Sequence, residues 1–500
     1  MPKAGKEDAS EPFVARRNLV HQIGYGDLRE WLAMADALGE LRTVEGASWQ
    51  EGIGMAAELV SHDENAPAVL FDKVPGCAPG FRVLVNVFAG KRMRATLGFP
   101  TDLNKVELSE AFLESCLAER RLIPPQTTTD AAPVLENVVL GDDVDLSIFP
   151  SPRWHEGDGG RYIGTGCYNI SRHPEGETVN LGTYRIMVEG RNRVGYNTAP
   201  GKHGRLHHEA WAARGERMPV AMVVGGDPLL FLMGGSELPA GVSEYDVAGG
   251  IRGRPVRTVP GPVTGLPIPA DAEIVLEGWV EPTETAPEGP FGDWTGTYTE
   301  AGRVRPVVEV AGICYRNDPI ILGCPPQRPP DEYSRLSAVL RSAMLKRNLQ
   351  EAGVPDVKSV WCHEVGGARL LIGVSIAQRY PGHARQAGQV TASCQLGAYA
   401  SRWIVVVDDD IDVSSQDELL WAWLTLADPV RSVDIFRGGW TSPADPTVTP
   451  EARAAGDMTA NRAIVDACRP YHWRSEFPGL NVPSPDTARR AREKFSWLLE

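Results

Sequence analysis

Ile274-Val275-Leu276-Glu277-Gly278-Trp279-Val280 is a short apolar run with β-branched residues, bounded by Pro, Asp and Thr, and it reads as a strand. The same signature recurs at residues 166–171, 181–188, 220–224 and 307–315, with Gly, Pro and Asn between the runs. Helical periodicity is scarce here, the main candidate being 206–213. Residues 139–316 therefore predict a barrel- or sandwich-like β domain. The fold class expected for the whole chain is α/β with a central β domain.

On the N-terminal side, Gly26-Asp27-Leu28-Arg29-Glu30 opens a helix, with Asp27 as cap and Glu30 at the third position of a capping box. Leu28, Trp31, Leu32 and Ala35 share one face. Residues 68–71 and 83–87 read as strands and 108–122 as an amphipathic helix, so 1–125 forms an α/β domain. The central domain then takes 126–318. Beyond it come a strand at 320–322, a helix over 333–350 ended by Gly353 and Pro355, strands at 357–361, 370–376 and 404–407, and a helix near 417–424. These make 319–480 a second α/β domain. In 481–500, Ser484 and Pro485 start a helix on which Ala488, Ala491, Phe495 and Leu498 form one apolar stripe. Such a stripe packs on its own domain or on a partner subunit.

At 500 residues the chain is long enough for about three domains. A formal net charge of -15 argues against nucleic acid or an anionic membrane as the main partner, so an anionic ligand must be met by a local positive site. The eight cysteines, Cys77, Cys116, Cys167, Cys314, Cys324, Cys362, Cys394 and Cys468, contain no Cys-x-x-Cys pair and read as the reduced thiols of a cytoplasmic protein. Residues 1–18 mix charges of both signs without an apolar stretch, which predicts neither signal peptide nor anchor. The most apolar window, 220–233, is broken by Gly225-Gly226-Asp227-Pro228 and is too interrupted to span a bilayer.

Four short segments carry possible chemistry. Glu288-Gly289-Pro290-Phe291-Gly292-Asp293 holds two carboxylates on a tight turn, an arrangement that drives their proton affinities apart and suits one of them to donate a proton. It is equally the composition of an ordinary acidic loop. Asn180-Leu181-Gly182-Thr183-Tyr184-Arg185 places Asn and Arg five apart on an irregular strand, and the Arg fork matches a carboxylate, although a surface strand could carry the same residue. His203 and His207 lie four apart on a predicted helix, but no Glu follows His203 as the zinc-protease pattern requires. Either could instead join a distant residue such as Glu244 on a metal. Asp408-Asp409-Asp410-Ile411-Asp412 follows a strand; it suggests either the acidic metal site of a nucleotide-sugar transferase or, more simply, a solvated turn rich in capping residues. Gly24-Tyr25-Gly26 lacks the third Gly of a dinucleotide fingerprint.

Together these segments resemble the UbiD family of reversible decarboxylases that use prenylated FMN. The likeness also takes in Ser243-Glu244-Tyr245, Gln327-Arg328-Pro329-Pro330-Asp331-Glu332 and Pro443-Ala444-Asp445-Pro446, in an order that spans nearly the whole chain. The resemblance implies an N-terminal α/β domain, a flavin-binding split β-barrel and a C-terminal α/β oligomerisation domain, in a homodimer or higher homo-oligomer. It implies that Asn180, His203 and Glu244 hold a divalent metal, usually Mn²⁺, on the cofactor phosphate, with K⁺ nearby. His203 is chosen because it stands eight residues before Trp211, as the family's ligand does. Thr183, Tyr184, Arg185 and Lys202 would border the cofactor, and Gly234, Gly235 and Ser236 would meet its phosphate. A flavin prenyltransferase of the UbiX type would supply it.

The family's catalytic trio maps to Arg185, Glu288 and Asp293. Glu288 would be the general acid and Arg185 the carboxylate holder, while Asp293, where many members have Glu, would support both. Two departures bear on phosphate and K⁺ binding: Gln395 replaces a Lys of ferulic acid decarboxylases, and Leu426 replaces an Arg of many members. The substrate implied is an aromatic, heteroaromatic or α,β-unsaturated carboxylic acid. Cys324, Pro325, Gly439, Trp440 and Thr441 are expected to border its pocket. The small residues Gly438 and Gly439 suggest room for a fused-ring acid such as an indole, naphthoic or phenazine carboxylate, with a hydroxybenzoate-type or polyketide-derived acid as the alternative. A flavin-binding subunit without activity would lack a reason to keep Arg185 and Glu288.

Overall fold

In the computed structural model, which describes residues 19–117, 121–236, 238–239, 241–298 and 303–498, the two apolar runs of the central region lengthen into a hairpin of strands Ile274–Glu288 and Arg303–Tyr315. Around this hairpin the strand order is Arg161–Gly164, Ile186–Val188, Arg193–Gly195, Arg303–Tyr315, Ile274–Glu288, Met218–Gly225, Tyr168–Arg172, Val179–Gly182. Every neighbouring pair is antiparallel, and Asn137–Leu140 pairs with the far end of Arg303–Tyr315. Leu181 and Val188 thus do not share one strand, because the run expected at 181–188 breaks at Thr183, Tyr184 and Arg185.

That break bends the sheet. Val179–Gly182 is the last strand at one margin and Ile186–Val188 is the second from the other, yet only three residues separate them. Four Cα–Cα steps reach at most roughly 15 Å. The two margins must therefore face each other, and the sheet is a barrel left open along a split that residues 183–185 cross. Buried Asn169 holds the crossing: its Nδ2 donates to the carbonyls of Gly182, at 3.1 Å, and Tyr184, at 2.9 Å. Met218–Gly225, buried along its whole length, is the floor beneath.

The N-terminal helix Leu28–Ala37 forms as its pattern requires, with Leu28, Trp31, Leu32 and Ala35 buried. Asp27 accepts from Glu30 N at 2.8 Å, but Glu30 reaches past the cap to accept from Gly26 N instead of closing a capping box. The helix expected at 108–122 occupies Lys105–Phe112 and continues as a π turn, Leu113–Leu117. Strands Leu41–Glu45, Ala68–Asp72 and Arg82–Val85 form one sheet, and its fourth member is Ile320–Leu322, parallel to Arg82–Val85. The boundary expected at 318/319 is therefore displaced, since this strand returns to the N-terminal sheet instead of opening the C-terminal domain. Its residues are fully buried and alternate between two apolar cores, Ile321 in one, Ile320 and Leu322 in the other. Leaving either would expose them.

The C-terminal sheet is mixed, in the order Val357–Cys362, Leu371–Ile376, Trp403–Asp408, Thr459–Asp466, Val433–Trp440. Helix Glu332–Glu351 packs between it and the N-terminal helix Lys105–Phe112. At its start, the buried Glu332 carboxylate accepts the backbone N–H groups of Asn86, Val87 and Phe88. The terminal helix Pro485–Phe495 is capped by Ser484 as expected, but Phe495 and Leu498 stay 43% and 64% exposed. Its stripe is not covered by its own domain. The leader at 1–18 lies outside the described residues, and no described helix is long and apolar enough to cross a membrane.

Replacing Glu332 by Ala leaves three N–H groups without their acceptor, and about 2–4 kcal/mol of stability should be lost. Thermal unfolding followed by circular dichroism checks this, and an unchanged midpoint would contradict the role of this carboxylate as the tie between domains.

Candidate active site

Arg185 projects from the crossing of the split, and Glu288 ends the long hairpin strand. The two meet as a fork: Arg185 Nε donates to Glu288 Oε1 at 2.7 Å and Nη2 to Oε2 at 2.8 Å. Two neutral donors complete the shell, Tyr162 OH to Oε1 at 2.9 Å and Asn197 Nδ2 to Oε2 at 3.3 Å. Glu288 is 1% exposed. Burial opposes the charge on Arg185, but its hydrogen bonds to Glu288 and the charges of Glu288 and Asp293 outweigh that cost and hold its proton more tightly than usual.

The turn after Glu288 owes its shape to two glycines. Gly289 has φ +89, open to Gly without strain. Opposite it, a Cβ on Gly159 would lie 2.0 Å from Gly289 O, so only Gly lets the two backbones approach, and Gly159 N donates to Pro290 O at 2.8 Å. The Gly289–Pro290 peptide is cis. Phe291 lies under Tyr162, ring centroids 3.7 Å apart, with the Arg185 guanidinium 5.2 Å from its own centroid. Asp293 Oδ2 stands 3.9 Å from Arg185 Nη1 and is more exposed than Glu288, with 28% of its side chain accessible. The two carboxylates of the turn thus share one guanidinium but sit in different surroundings.

A cleft of about 240 Å³ opens beside this pair. Its walls include Thr165, Thr183, Lys202, Phe231, Trp294 and Tyr333, besides Tyr184, Arg185, Asn197 and Asp293. A second cavity shares Thr183, Phe231 and Tyr333 with it and is lined by Gly235 and Ser236. Gly234 lies against the crossing, its carbonyl accepting from Thr183 N at 3.2 Å.

At the other end of the same segment, Asn180 Oδ1 lies 3.0 Å from His203 Nδ1. Glu244, buried, accepts from Leu181 N at 2.7 Å, and burial pushes its carboxyl up to about 7. Asn180 Nδ2 is buried without a partner. The His207 ring stacks on that of His203 with centroids 6.5 Å apart, while its Nδ1 faces Ser171 Oγ at 3.0 Å, and burial lowers it to about 4. Among the described residues no group of three His, Cys, Asp or Glu could hold a metal ion by itself.

The other candidate segments lie elsewhere. The run at 408–412 is neutralised within the fold: Arg469 contacts Asp408 and forks onto Asp410, and Gln378 donates to Asp408. It ties the end of a strand to the C-terminal segment, with Asp408 buried and Asp409, Asp410 and Asp412 exposed. Cys324 lines the cleft, its N donating to Thr165 Oγ1, whereas Pro325 is buried and Pro326 takes the lining position. Gly439, Trp440 and Thr441 are not among the lining residues. Gly439 faces the Arg462 guanidinium, Trp440 packs on Tyr399 at 4.6 Å, and Thr441 donates to Asp445. The space inferred from Gly438 and Gly439 is therefore not space in this cleft. Gln395 is exposed and Leu426 packs on the C-terminal core.

All eight thiols are unpaired. Tyr162, Asn169 and Asn197 were not legible as site residues: each sits in a strand or loop whose pattern is ordinary, and only the curl of the sheet brings them to residues 183–185.

Comparison with known proteins accounts for this arrangement. Three family models cover the chain in order: the N-terminal domain of 3-octaprenyl-4-hydroxybenzoate carboxy-lyase at residues 32–112, its Rift-related domain at 126–329 and its C-terminal domain at 334–467. The chain belongs to the UbiD family of carboxy-lyases. It is 30% identical to pyrrole-2-carboxylic acid decarboxylase of Pseudomonas aeruginosa, over 87% of this chain and 90% of that protein. Among solved structures, vanillic acid decarboxylase of Sedimentibacter hydroxybenzoicus in open form matches with TM-score 0.82 and 28% identity, over 95% of this chain and 99% of the other. The UbiD-class enzyme HmfF of Pelotomaculum thermopropionicum, in complex with FMN, matches with TM-score 0.81 and 27% identity, over 92% and 98%. An evolved dimeric form of HmfF is known in complex with prFMN.

Arg185→Lys keeps the charge but loses the two-pronged geometry. Turnover should fall by about 100-fold or more while the folded protein is retained, as CO₂-release kinetics beside circular dichroism will show.

Proposed function

We propose that this protein catalyses the non-oxidative, reversible decarboxylation of an aromatic or heteroaromatic acid with prenylated FMN, and that Arg185, Glu288 and Asp293 are its catalytic residues. The observation that carries the reading is the buried Arg185–Glu288 fork, whose Arg185 lines the cleft. Loss of CO₂ from an sp² carbon leaves an electron pair that no protein side chain can accept, and prenylated FMN, when bound, supplies that electron sink.

The residues present fit such a cofactor. Phe231, Phe291 and Trp294 offer flat apolar walls, Thr183 and Lys202 offer polar contacts, and Gly235 and Ser236 line the adjoining cavity. Asn180, His203 and Glu244 would hold the divalent metal. The Asn180 amide oxygen, 3.0 Å from His203 Nδ1, and the buried Glu244 carboxylate are the donor types such an ion takes. Asn180 and Arg185 stand five residues apart, at most roughly 18 Å of extended chain, so one segment serves both the phosphate end and the reacting end.

Arg185 meets the substrate carboxylate from the cleft side while orienting Glu288. Glu288 delivers a proton to the carbon that loses CO₂, and takes it back in the carboxylation direction. Asp293, one methylene shorter than Glu and on the far edge of the guanidinium, tunes Arg185 without reaching the reacting carbon. Trp294 lies under Arg369 at 5.0 Å, and Thr295 Oγ1 donates to Ala444 O at 3.2 Å, so the catalytic turn is tied to the C-terminal domain. Closure of that domain would exclude water and carry the 437–441 segment toward the substrate. The Sedimentibacter enzyme is known in both open and closed forms. The similarity to pyrrole-2-carboxylic acid and phenolic acid decarboxylases favours a single-ring acid over a fused-ring acid.

A second copy of the chain would cover the exposed stripe of Pro485–Phe495, together with Trp421, Leu424 and Ile435. A flavin prenyltransferase would supply the cofactor, and an intracellular setting suits eight unpaired thiols.

The test is co-expression with a flavin prenyltransferase in Mn²⁺-supplemented medium, followed by CO₂ release across pyrrole-, hydroxybenzoic, indole- and naphthoic carboxylic acids. Glu288→Gln should keep the flavin absorbance and lose about 10²- to 10⁴-fold in turnover; near wild-type rates in that variant would refute its role as the acid. Deleting residues 484–500 should move the protein to a smaller species in light scattering coupled to gel filtration. An unchanged mass would place the interface elsewhere.

A further inference from the structure

We infer that Tyr162 is the positioning residue of the acid, a hydroxyl that holds Glu288 in both of its protonation states; the inference rests on the assignment of Glu288 above. Four donors saturate the Glu288 carboxylate: Tyr162 OH and Arg185 Nε on Oε1, Arg185 Nη2 and Asn197 Nδ2 on Oε2. This shell suits the anion. A proton-delivering group must also exist as the neutral acid, and then one of the four donors has to turn away or become an acceptor. A guanidinium has no acceptor, and an amide nitrogen has none either. The Tyr162 hydroxyl alone can rotate from donor to acceptor without moving a heavy atom.

The fold aims this hydroxyl and little else constrains it. Tyr162 lies in the end strand Arg161–Gly164, where the pairing with Ile186–Val188 shifts register between Tyr162 and Gly164, a bulge that redirects the side chain. Its backbone is pinned on both sides, N donating to Pro152 O at 2.9 Å and O accepting from Trp154 Nε1 at 3.2 Å. Its ring is buried and stacked on Phe291, three residues beyond Glu288 in the same turn. Acid and hydroxyl therefore move together if the turn moves. The other charged groups around the pair are Arg305 and Glu189, which act on Glu288, Asp293, which reaches it through Arg185, and Asp158, which acts on Tyr162. Among the described residues Glu288 hydrogen-bonds to Tyr162, Arg185 and Asn197 and to none of these, so the hydroxyl is the neutral switch in the shell.

Tyr162→Phe removes one oxygen and leaves Oε1 its bond from Arg185. Glu288 can be followed without turnover, by infrared difference spectra of wild type against Glu288→Gln as pH is varied, in which the protonated carboxyl band belongs to Glu288. Losing a donor to the anion favours the acid, so in Tyr162→Phe the midpoint of that band should move to higher pH, by about one unit. Replacing Tyr162 by 3-fluorotyrosine keeps the shape, strengthens the donor and should move the midpoint the other way. This second protein decides the matter if the Phe variant does not fold. In the flavin-loaded enzyme, Tyr162→Phe should lower kcat about tenfold with KM changed less than about twofold, and the alkaline limb of the pH profile should follow the band. Coincident midpoints in wild type and both variants overturn the inference. A wild type that releases no CO₂ from any acid tested overturns the proposed function instead, and the carboxyl titration still decides the role of Tyr162.

Discussion

Everything in this molecule that bears on chemistry follows from one geometrical constraint: three residues must carry the chain from one margin of a nine-stranded sheet to the other. So short a connection forces the sheet to curl, and the crossing lies along the only seam where the barrel is not hydrogen-bonded among the described strands. Backbone at such a seam is exposed to the interior without ladder partners, which is costly unless side chains satisfy it. Asn169 does so from the opposite strand, and Gly234 O and the Cys167 thiol take up further groups. The seam is where side chains from both margins and from the long hairpin converge, and Arg185 stands in its middle.

Burying a carboxylate such as Glu288 is expensive, and the structure offsets the cost by complete solvation with fixed donors. The same four contacts that make the anion tolerable also fix its position to within hydrogen-bond tolerance, so stability and preorganisation are supplied together. Asp293 shows the contrast. It is tied to the same guanidinium at a longer distance and with far more exposure, which leaves it an electrostatic neighbour and not a second buried acid.

The site is also where domains meet. Ile320–Leu322 returns to the N-terminal sheet, Glu332 plugs its carboxylate into the N–H groups of residues 86–88, and Trp294 and Thr295 reach the C-terminal domain. The turn that bears Glu288 is thus linked to one domain that is held firmly and to another through contacts that include a cation–π pair and a hydrogen bond. A hinge in that second link would reshape the cleft without dismantling the buried fork.

Much of this was readable beforehand. The β-branched runs at 274–280 and 307–315, the face of Leu28, Trp31, Leu32 and Ala35, and the caps at Asp27 and Ser484 declare themselves because strand and helix patterns are local properties of the chain. The order of short motifs identified the family and pointed to Arg185 and Glu288, and the structure brings these two together. Other placements were beyond it. The strand at 320–322 reads the same whichever sheet it joins, Gly439 and Trp440 carry no mark of the distance that separates them from the cleft, and Tyr162 lies in a run like any other. Local periodicity and the family were determined by the sequence alone. Which donors surround Glu288, and which margin of the sheet they come from, was decided only by the closure of the barrel, because contacts between residues more than a hundred positions apart have no local signature.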